Sequence, residues 1–150
     1  MKTVLTALSL VLAPTLSAAE DIIDRWNADR ALVFDAAEVD LDALVWVARP
    51  IVVFAESPFD PEFSRQMDLL AAGAPDLIER DVIIVVDTDP DARSDARLRL
   101  RPRGFMSVLI GKDGQVKQRK PDPWNVREFS RTIDKMPMRQ QEVNEGRFAN

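Results

Sequence analysis

The chain contains no cysteine and no histidine among its 150 residues. Without cysteine it cannot form a disulfide, a thiolate metal site, or the thiol centre of a peroxidase or CxxC oxidoreductase. Without histidine it lacks the imidazole of a Ser-His or Cys-His dyad and any imidazole metal ligand, which excludes most nucleophilic and zinc-dependent hydrolases. Carboxylates, lysine, arginine and hydroxyls are therefore the groups left for chemistry.

The N-terminal residues have the pattern of a secretory signal peptide. Lys2 supplies a positive charge, residues 3–13 are apolar, and residues 17–19 form a small-residue cleavage site. The apolar stretch is shorter than the ~20 residues needed to span a bilayer. We therefore predict removal of residues 1–19 by cleavage between Ala19 and Glu20. We then expect the mature chain to be periplasmic or secreted and to have no transmembrane segment after the signal peptide is removed.

The rest of the composition is that of one soluble domain, with 46% hydrophobic and 30% charged residues. Its charge is uneven, since residues 20–96 carry 19 acids and 6 bases, whereas residues 97–150 carry 13 bases and 6 acids. Such an asymmetry can mark a polyanion or membrane-surface partner. The two halves can also neutralise each other within one domain, and we favour this second interpretation.

Two continuous runs of β-branched apolar residues, 51–55 and 82–86, are typical of strands covered on both faces. Between them, Asp60 is a candidate N-cap followed by Pro61 at the first helical position, which predicts a helix start. A helix between two such strands predicts that they are parallel and joined by a right-handed crossover.

A Gly-containing turn at residues 111–114 separates two further strand-like runs and predicts an antiparallel hairpin. A final helix is expected to begin at the capping-box pattern of residues 125–128, with residues 122–123 as an alternative start. We predict one domain over residues 41–136. An arm or short helix over residues 20–40 precedes it, and a polar tail over residues 137–150 that frays follows it.

The predicted fold class is α/β, with a β-α-β-β-β-α order around a mixed four-stranded core sheet with flanking helices, as in thioredoxin-like proteins. Within residues 41–142, the stretches GFMSVLIGKDGQVK and DKMPMRQQE are the most specific. They resemble a bacterial family of exported thioredoxin-like proteins of unknown function. They are also similar to the peroxiredoxin-like (P-DUDES) domain of sushi-repeat-containing and coiled-coil-domain-containing extracellular matrix proteins. This resemblance implies a fold and a compartment but no established activity.

Active thioredoxin-like enzymes keep their cysteines in the loop after the first core strand, at the start of a helix. Here that loop has no sulfur, so thiol-disulfide exchange is excluded. We predict a non-catalytic binding or interaction module without a cofactor. The alternative is a small envelope enzyme that uses a bound metal or the carboxylates of Glu56, Asp60 and Glu62 as general acid and base.

Four aspartates match positions 1, 3, 5 and 9 of an EF-hand calcium loop: Asp87, Asp89, Asp91 and Asp95. Ala92 stands at the position of the conserved loop glycine, and Leu98 at that of the bidentate glutamate. Acids are also favoured at helix N-termini. We therefore favour a helix start over a calcium site and predict no metal.

Seven basic residues form a candidate anion-binding patch: Arg97, Arg99, Arg101, Arg103, Lys117, Arg119 and Lys120. The four arginines alternate with other residues, so in an extended segment they would share one face. Such a patch predicts an unidentified protein or an envelope glycan as partner, rather than nucleic acid. The alternative, which we favour, is pairing with this chain's own acids.

Overall fold

The computed structural model describes the backbone over residues 18–148 and the side chains over residues 21–147. The strands are β1 (Val33–Asp35), β2 (Arg49–Phe54), β3 (Val82–Asp87), β4 (Met106–Ile110) and β5 (Val116–Lys120). The α-helices of this part are α1 (Ala18–Ala28), α2 (Pro61–Ala72), α3 (Ala74–Ile78), α4 (Asp95–Leu100), α5 (Val126–Asp134) and α6 (Pro137–Phe148). The predicted mixed α/β class is therefore confirmed.

The strands form one open mixed sheet in the order β1-β3-β2-β4-β5. β2 runs parallel to β3, with Ile51 opposite Ile84, and antiparallel to β4, with Val52 opposite Val108. β4 and β5 form an antiparallel hairpin. The parallel pairing of the two apolar runs and the antiparallel hairpin are both as predicted.

Local sequence signals explain where these elements begin. Every residue of β2 is buried, as expected for a strand covered on both faces. Asp60 caps α2, because its side chain accepts a hydrogen bond from the amide of Glu62 at 2.8 Å. Asn125 caps α5 in the same way through the amide of Glu128, which confirms the capping-box start over the alternative at residues 122–123.

The sheet separates two apolar core clusters. On one face, Trp26 from α1 and Leu100 from α4 pack with Phe54. On the other, Leu70 from α2 and Phe129 from α5 join the second cluster. Each such burial is worth roughly 1.5–3 kcal/mol before entropy costs. Because the chain has no cysteine and so no disulfide, these two cores hold the domain together.

The sheet has five strands, not the predicted four, because residues 33–35 form β1 at one edge. β1 pairs in parallel with β3, and the amide of Ala36 donates to the carbonyl of Val86 at 2.8 Å. Its only buried side chain, Phe34, enters the core between two exposed neighbours. Three residues are too few for a visible period-two pattern, so the segment was expected to be an arm or a short helix. The helix α1 before it agrees with the second of these expectations.

The C-terminal segment was predicted to fray, but it forms α6 up to Phe148. Its contacts with the domain are made largely by charged side chains. Arg139 donates to the carbonyl of Glu79 at 3.2 Å, and Glu142 accepts from Arg49 at 3.0 Å. A helix held by such contacts lacks a strong apolar periodicity, which is why its sequence is typical of a polar tail.

The predicted signal peptide lies outside the described residues as far as residue 17. The predicted cleavage point between Ala19 and Glu20 falls within α1. Among the helices of residues 18–148, none has the length and apolarity needed to cross a bilayer.

Candidate functional site

The loop after β2, where the alternative enzyme hypothesis places its carboxylates, has the geometry of a solvated helix start. Asp60 is occupied as the cap of α2. Glu56 is exposed, with a carboxylate oxygen 3.9 Å from the guanidinium of Arg97, and Glu62 is also exposed. None of the three acids lines the cavity that is described below.

The four aspartates of the candidate calcium loop serve separate local roles. Asp87 is 4% exposed and accepts hydrogen bonds from Arg97, the closest at 2.8 Å. Asp89 caps a short 3-10 turn that contains Asp91, and Asp95 begins α4. In the part of the chain that the structure describes, no group of three or more acids is arranged to hold a metal ion.

Arg97 is a structural residue at the junction of three elements. Besides its ion pair with Asp87, its Nη2 donates to the carbonyls of Ala55 at 3.0 Å and Asp87 at 3.1 Å. Its side chain is 11% exposed. The guanidinium therefore ties α4 to the carboxyl ends of β2 and β3.

The condition under which the four arginines would share one face, an extended segment, is not met, because residues 95–100 form α4. Ser94 caps this helix by accepting from the amide of Arg97, and Asp95 lies in its first turn. Arg101 and Arg103 are exposed in the segment after the helix. Five of the seven basic side chains contact groups of this chain: Arg97 with Asp87, Arg99 with Asp42, Lys117 with Asp113, Arg119 with the Leu100 carbonyl, and Lys120 with the Trp124 ring.

A different charged cluster lies at the opposite end of the sheet, where β2 and β3 begin. Arg49 is completely buried, and its guanidinium pairs with Glu142 of α6 through two hydrogen bonds of 3.0 and 3.3 Å. It also donates to the carbonyl of Arg80 at 2.9 Å. Among the described residues its Nε has no partner. Two-point pairing of this kind fixes the position of α6 on the sheet.

Lys112 in the hairpin turn extends this cluster. Its ammonium contacts Asp81 at 2.7 Å and Glu142 at 2.8 Å, and Asp81 also accepts from Arg30 at 3.0 Å. Burial alone would raise the pKa of Glu142, but Arg49 and Lys112 together hold it below its usual value. Burial would also raise the pKa of Asp81, but the neighbouring cations Lys112 and Arg30 outweigh this effect and lower the pKa. Both carboxylates are therefore stabilised in their charged form.

Trp46 lies beside this cluster in an unusual backbone conformation. Its φ of 67° is in the left-handed region, which costs a bulky side chain roughly 1–3 kcal/mol. Its amide donates to the carbonyl of Lys112 at 2.6 Å, and 65% of the residue is exposed. The fold thus holds a large apolar ring in solvent at a conformational cost, which makes this position a candidate for binding.

A cavity of about 330 Å³ opens next to this tryptophan, and we call it the Trp46 cavity. Its apolar wall consists of Trp46, Met136, Pro137 and Met138. Its polar wall consists of Gly111, Arg49, Lys112, Asp113 and Lys117. The volume lies within the range of pockets that hold small ligands, and the mixture of an apolar wall with a few charged groups is typical of such pockets.

This site was not predicted from the sequence, because the chemistry of thioredoxin-like enzymes lies in the loop at the other end of the sheet. The two stretches that carry the resemblance, GFMSVLIGKDGQVK and DKMPMRQQE, supply residues 111–113, 117 and 136–138 of the cavity. They had been interpreted only as a turn and a helix end. Arg49, which precedes Pro50 and the apolar run of residues 51–55, was a further signal, because a charge buried there needs a partner.

A family model described as Domain of unknown function (DUF4174) matches residues 40–142. Neither a curated protein nor a solved structure gives a significant match to the chain. The matched range contains every residue that lines the Trp46 cavity, together with Glu142. The expected resemblance to a family of unknown function is confirmed over nearly the same residues.

Proposed function

The chain belongs to the Domain of unknown function (DUF4174) family, and we propose that it is an exported, non-catalytic binding module that lacks redox cysteines. Its binding site is the Trp46 cavity. The observation that carries this proposal is Trp46 itself, 65% exposed with a φ of 67° at the mouth of a cavity of about 330 Å³. Tryptophan supplies a large apolar surface with a single polar N–H and is enriched where proteins contact their partners.

The architecture that we propose is thioredoxin-like, with β1 added at one edge. The strand order β3-β2-β4-β5, with a parallel first pair and an antiparallel hairpin, supports this assignment. The charged residue followed by an apolar stretch and a small-residue site within residues 1–19 supports export to the periplasm or beyond.

Two features of the loop after β2 support a non-catalytic role. It contains no sulfur, and its best-placed carboxylate, Asp60, is engaged in capping α2. A general acid and base need convergent groups in a cavity that excludes water. Glu56 and Glu62 are both exposed instead.

Amide NMR of the exported protein tests this proposal directly. Envelope extract is divided into small-molecule and macromolecular fractions, and each is titrated into the labelled protein. We expect chemical-shift changes at the amides of Trp46, Gly111 and Met138, because these residues line one cavity. Shifts confined to residues 56–62 would contradict the proposed site.

A matched variant separates binding from catalysis in the same experiment. In E56Q/D60N/E62Q the three carboxylates become amides, and asparagine still caps a helix well. We expect this variant to bind the active fraction as the wild type does. Turnover of any extract component that the wild type performs and this variant does not would instead favour the carboxylate enzyme.

A further inference from the structure

The ionisable side chains that line the Trp46 cavity are mostly cationic. They are Arg49, Lys112 and Lys117 against the single carboxylate of Asp113. Asp113 accepts only one hydrogen bond from Lys117, at 2.7 Å, and an ammonium has three donors. Glu142, which pairs with Arg49 and Lys112, is not part of the lining. Because Glu142 and Asp81 already pair with Arg49 and Lys112, the lining cation with donors left for an anion is Lys117, whose ammonium contacts only Asp113 among the described residues.

The start of α6 provides a second set of donors on the same cavity. Pro137 has no N–H, and Met136 before it has an apolar side chain that cannot cap the helix. Within the described residues, the amides of Met138 and Arg139 have no hydrogen-bond acceptor, and of these two residues Met138 lines the cavity. The first turn also contains no acid. Free amide N–H groups and the positive end of the helix dipole together favour an anionic group at this point.

The unpartnered Nε of Arg49 is an independent sign of a missing acceptor. Arg49 is completely buried and lines the cavity, and its other two nitrogens are engaged by Glu142 and the Arg80 carbonyl. Buried donors are almost always satisfied in proteins. A ligand oxygen that accepts a hydrogen bond from this Nε would supply the missing acceptor.

The apolar residues of the lining suit an aromatic ring. Trp46 can stack on a ring or meet its edge, and the sulfurs of Met136 and Met138 make favourable contacts with aromatic groups. A volume of about 330 Å³ corresponds to about eleven water molecules at ~30 Å³ each. One ring with a short chain fits within that space.

We propose that the Trp46 cavity binds a small organic monocarboxylate that carries one aromatic ring. The ring lies against Trp46 and the two methionines, and the carboxylate lies between Lys117 and the start of α6. This inference rests on the proposed binding function and names the ligand class of that site.

The test uses 3-phenylpropanoate as the probe, titrated into the exported protein and followed by calorimetry and tryptophan fluorescence. Three matched compounds remove one feature each: 3-phenylpropan-1-ol lacks the charge, 3-phenylpropylamine reverses it, and propanoate lacks the ring. We expect the acid to bind at least tenfold more tightly than each of them. If the alcohol or the amine binds as tightly as 3-phenylpropanoate, the anionic part of the proposal is wrong. If propanoate binds as tightly, the aromatic part is wrong.

The variant W46G removes the ring without straining the backbone, because glycine adopts a φ of 67° freely. It is expected to weaken binding of 3-phenylpropanoate at least tenfold while the protein melts at the same temperature or higher. K117Q should weaken binding of the acid several-fold but not that of the alcohol. The control is F59A, which removes a ring that is 89% exposed in the loop after β2 and should leave the affinity unchanged.

The outcomes separate this inference from the proposed function. If W46G binds the acid as well as the wild type does, the ligand lies elsewhere and the inference is wrong. If no probe binds but an envelope fraction shifts the cavity amides, the ligand class is wrong and the binding module stands. If neither the probes nor any fraction shifts these amides, both proposals fail.

Discussion

Glu142→Gln removes the negative charge that faces the completely buried guanidinium of Arg49. The glutamate side chain is 26% exposed, so the loss is smaller than the roughly 3–5 kcal/mol expected on breaking a fully buried pair. Glutamine keeps one carbonyl oxygen and can retain one hydrogen bond. We therefore expect the free energy of unfolding to fall by about 2–3 kcal/mol, which lowers the melting temperature by roughly 5–10 °C in a domain of this size.

Urea denaturation measures this loss, with an unchanged m-value as the sign that the native state is still compact. The matched control is Glu145→Gln, on the same helix, where the carboxylate accepts from Gln141 in an exposed position. It should change stability by less than about 0.5 kcal/mol. If the two variants lose the same amount, the pairing of α6 with Arg49 does not stabilise the domain and the reasoning is refuted.

The pH dependence of the same variant tests the cause. Arg49 and Lys112 hold the pKa of Glu142 below its ordinary value of 4.5, despite the opposing effect of burial. A carboxylate with a lowered pKa in the folded state contributes stability above pH 4.5, and this contribution is lost as the pH falls through the folded pKa. The wild type should therefore lose more stability than E142Q on acidification below that pH. Parallel curves for the two proteins would contradict this expectation.

The remaining predictions concern three other positions. Asp87→Asn should lower the free energy of unfolding by about 2–4 kcal/mol in urea, because it leaves the guanidinium of Arg97 without its buried carboxylate; the exposed Asp91→Asn is the control, and an equal effect of both would show that the pair is not stabilising. Trp46→Gly should raise the melting temperature or leave it unchanged, since it relieves a left-handed backbone; a clear drop by calorimetry would mean that the indole is needed for the fold. Asp60→Ala should cost about 1 kcal/mol of stability and Asp60→Asn much less, as judged by thermal melting; equal losses would exclude capping as the role of this residue.

Much of the fold was predictable because its signals are local. The apolar runs of β2 and β3 and the caps Asp60 and Asn125 each depend on a few neighbouring residues. β1 was missed because three residues carry no period, and it exists only because β3 offers a free edge. The four arginines after residue 96 would share a face only in an extended segment, and the cap at Ser94 starts α4 there instead.

The absence of sulfur and imidazole is determined by the amino-acid sequence alone, and no tertiary structure can change the classes of chemistry that it excludes. The candidate site was decided by tertiary structure. Arg49 and Glu142 are 93 positions apart, and the antiparallel pairing of β4 with β2 brings the hairpin turn beside them. Patterns along a sequence report contacts between residues a few positions apart, whereas a cavity between a strand start, a turn and a helix end exists only after those elements have packed together.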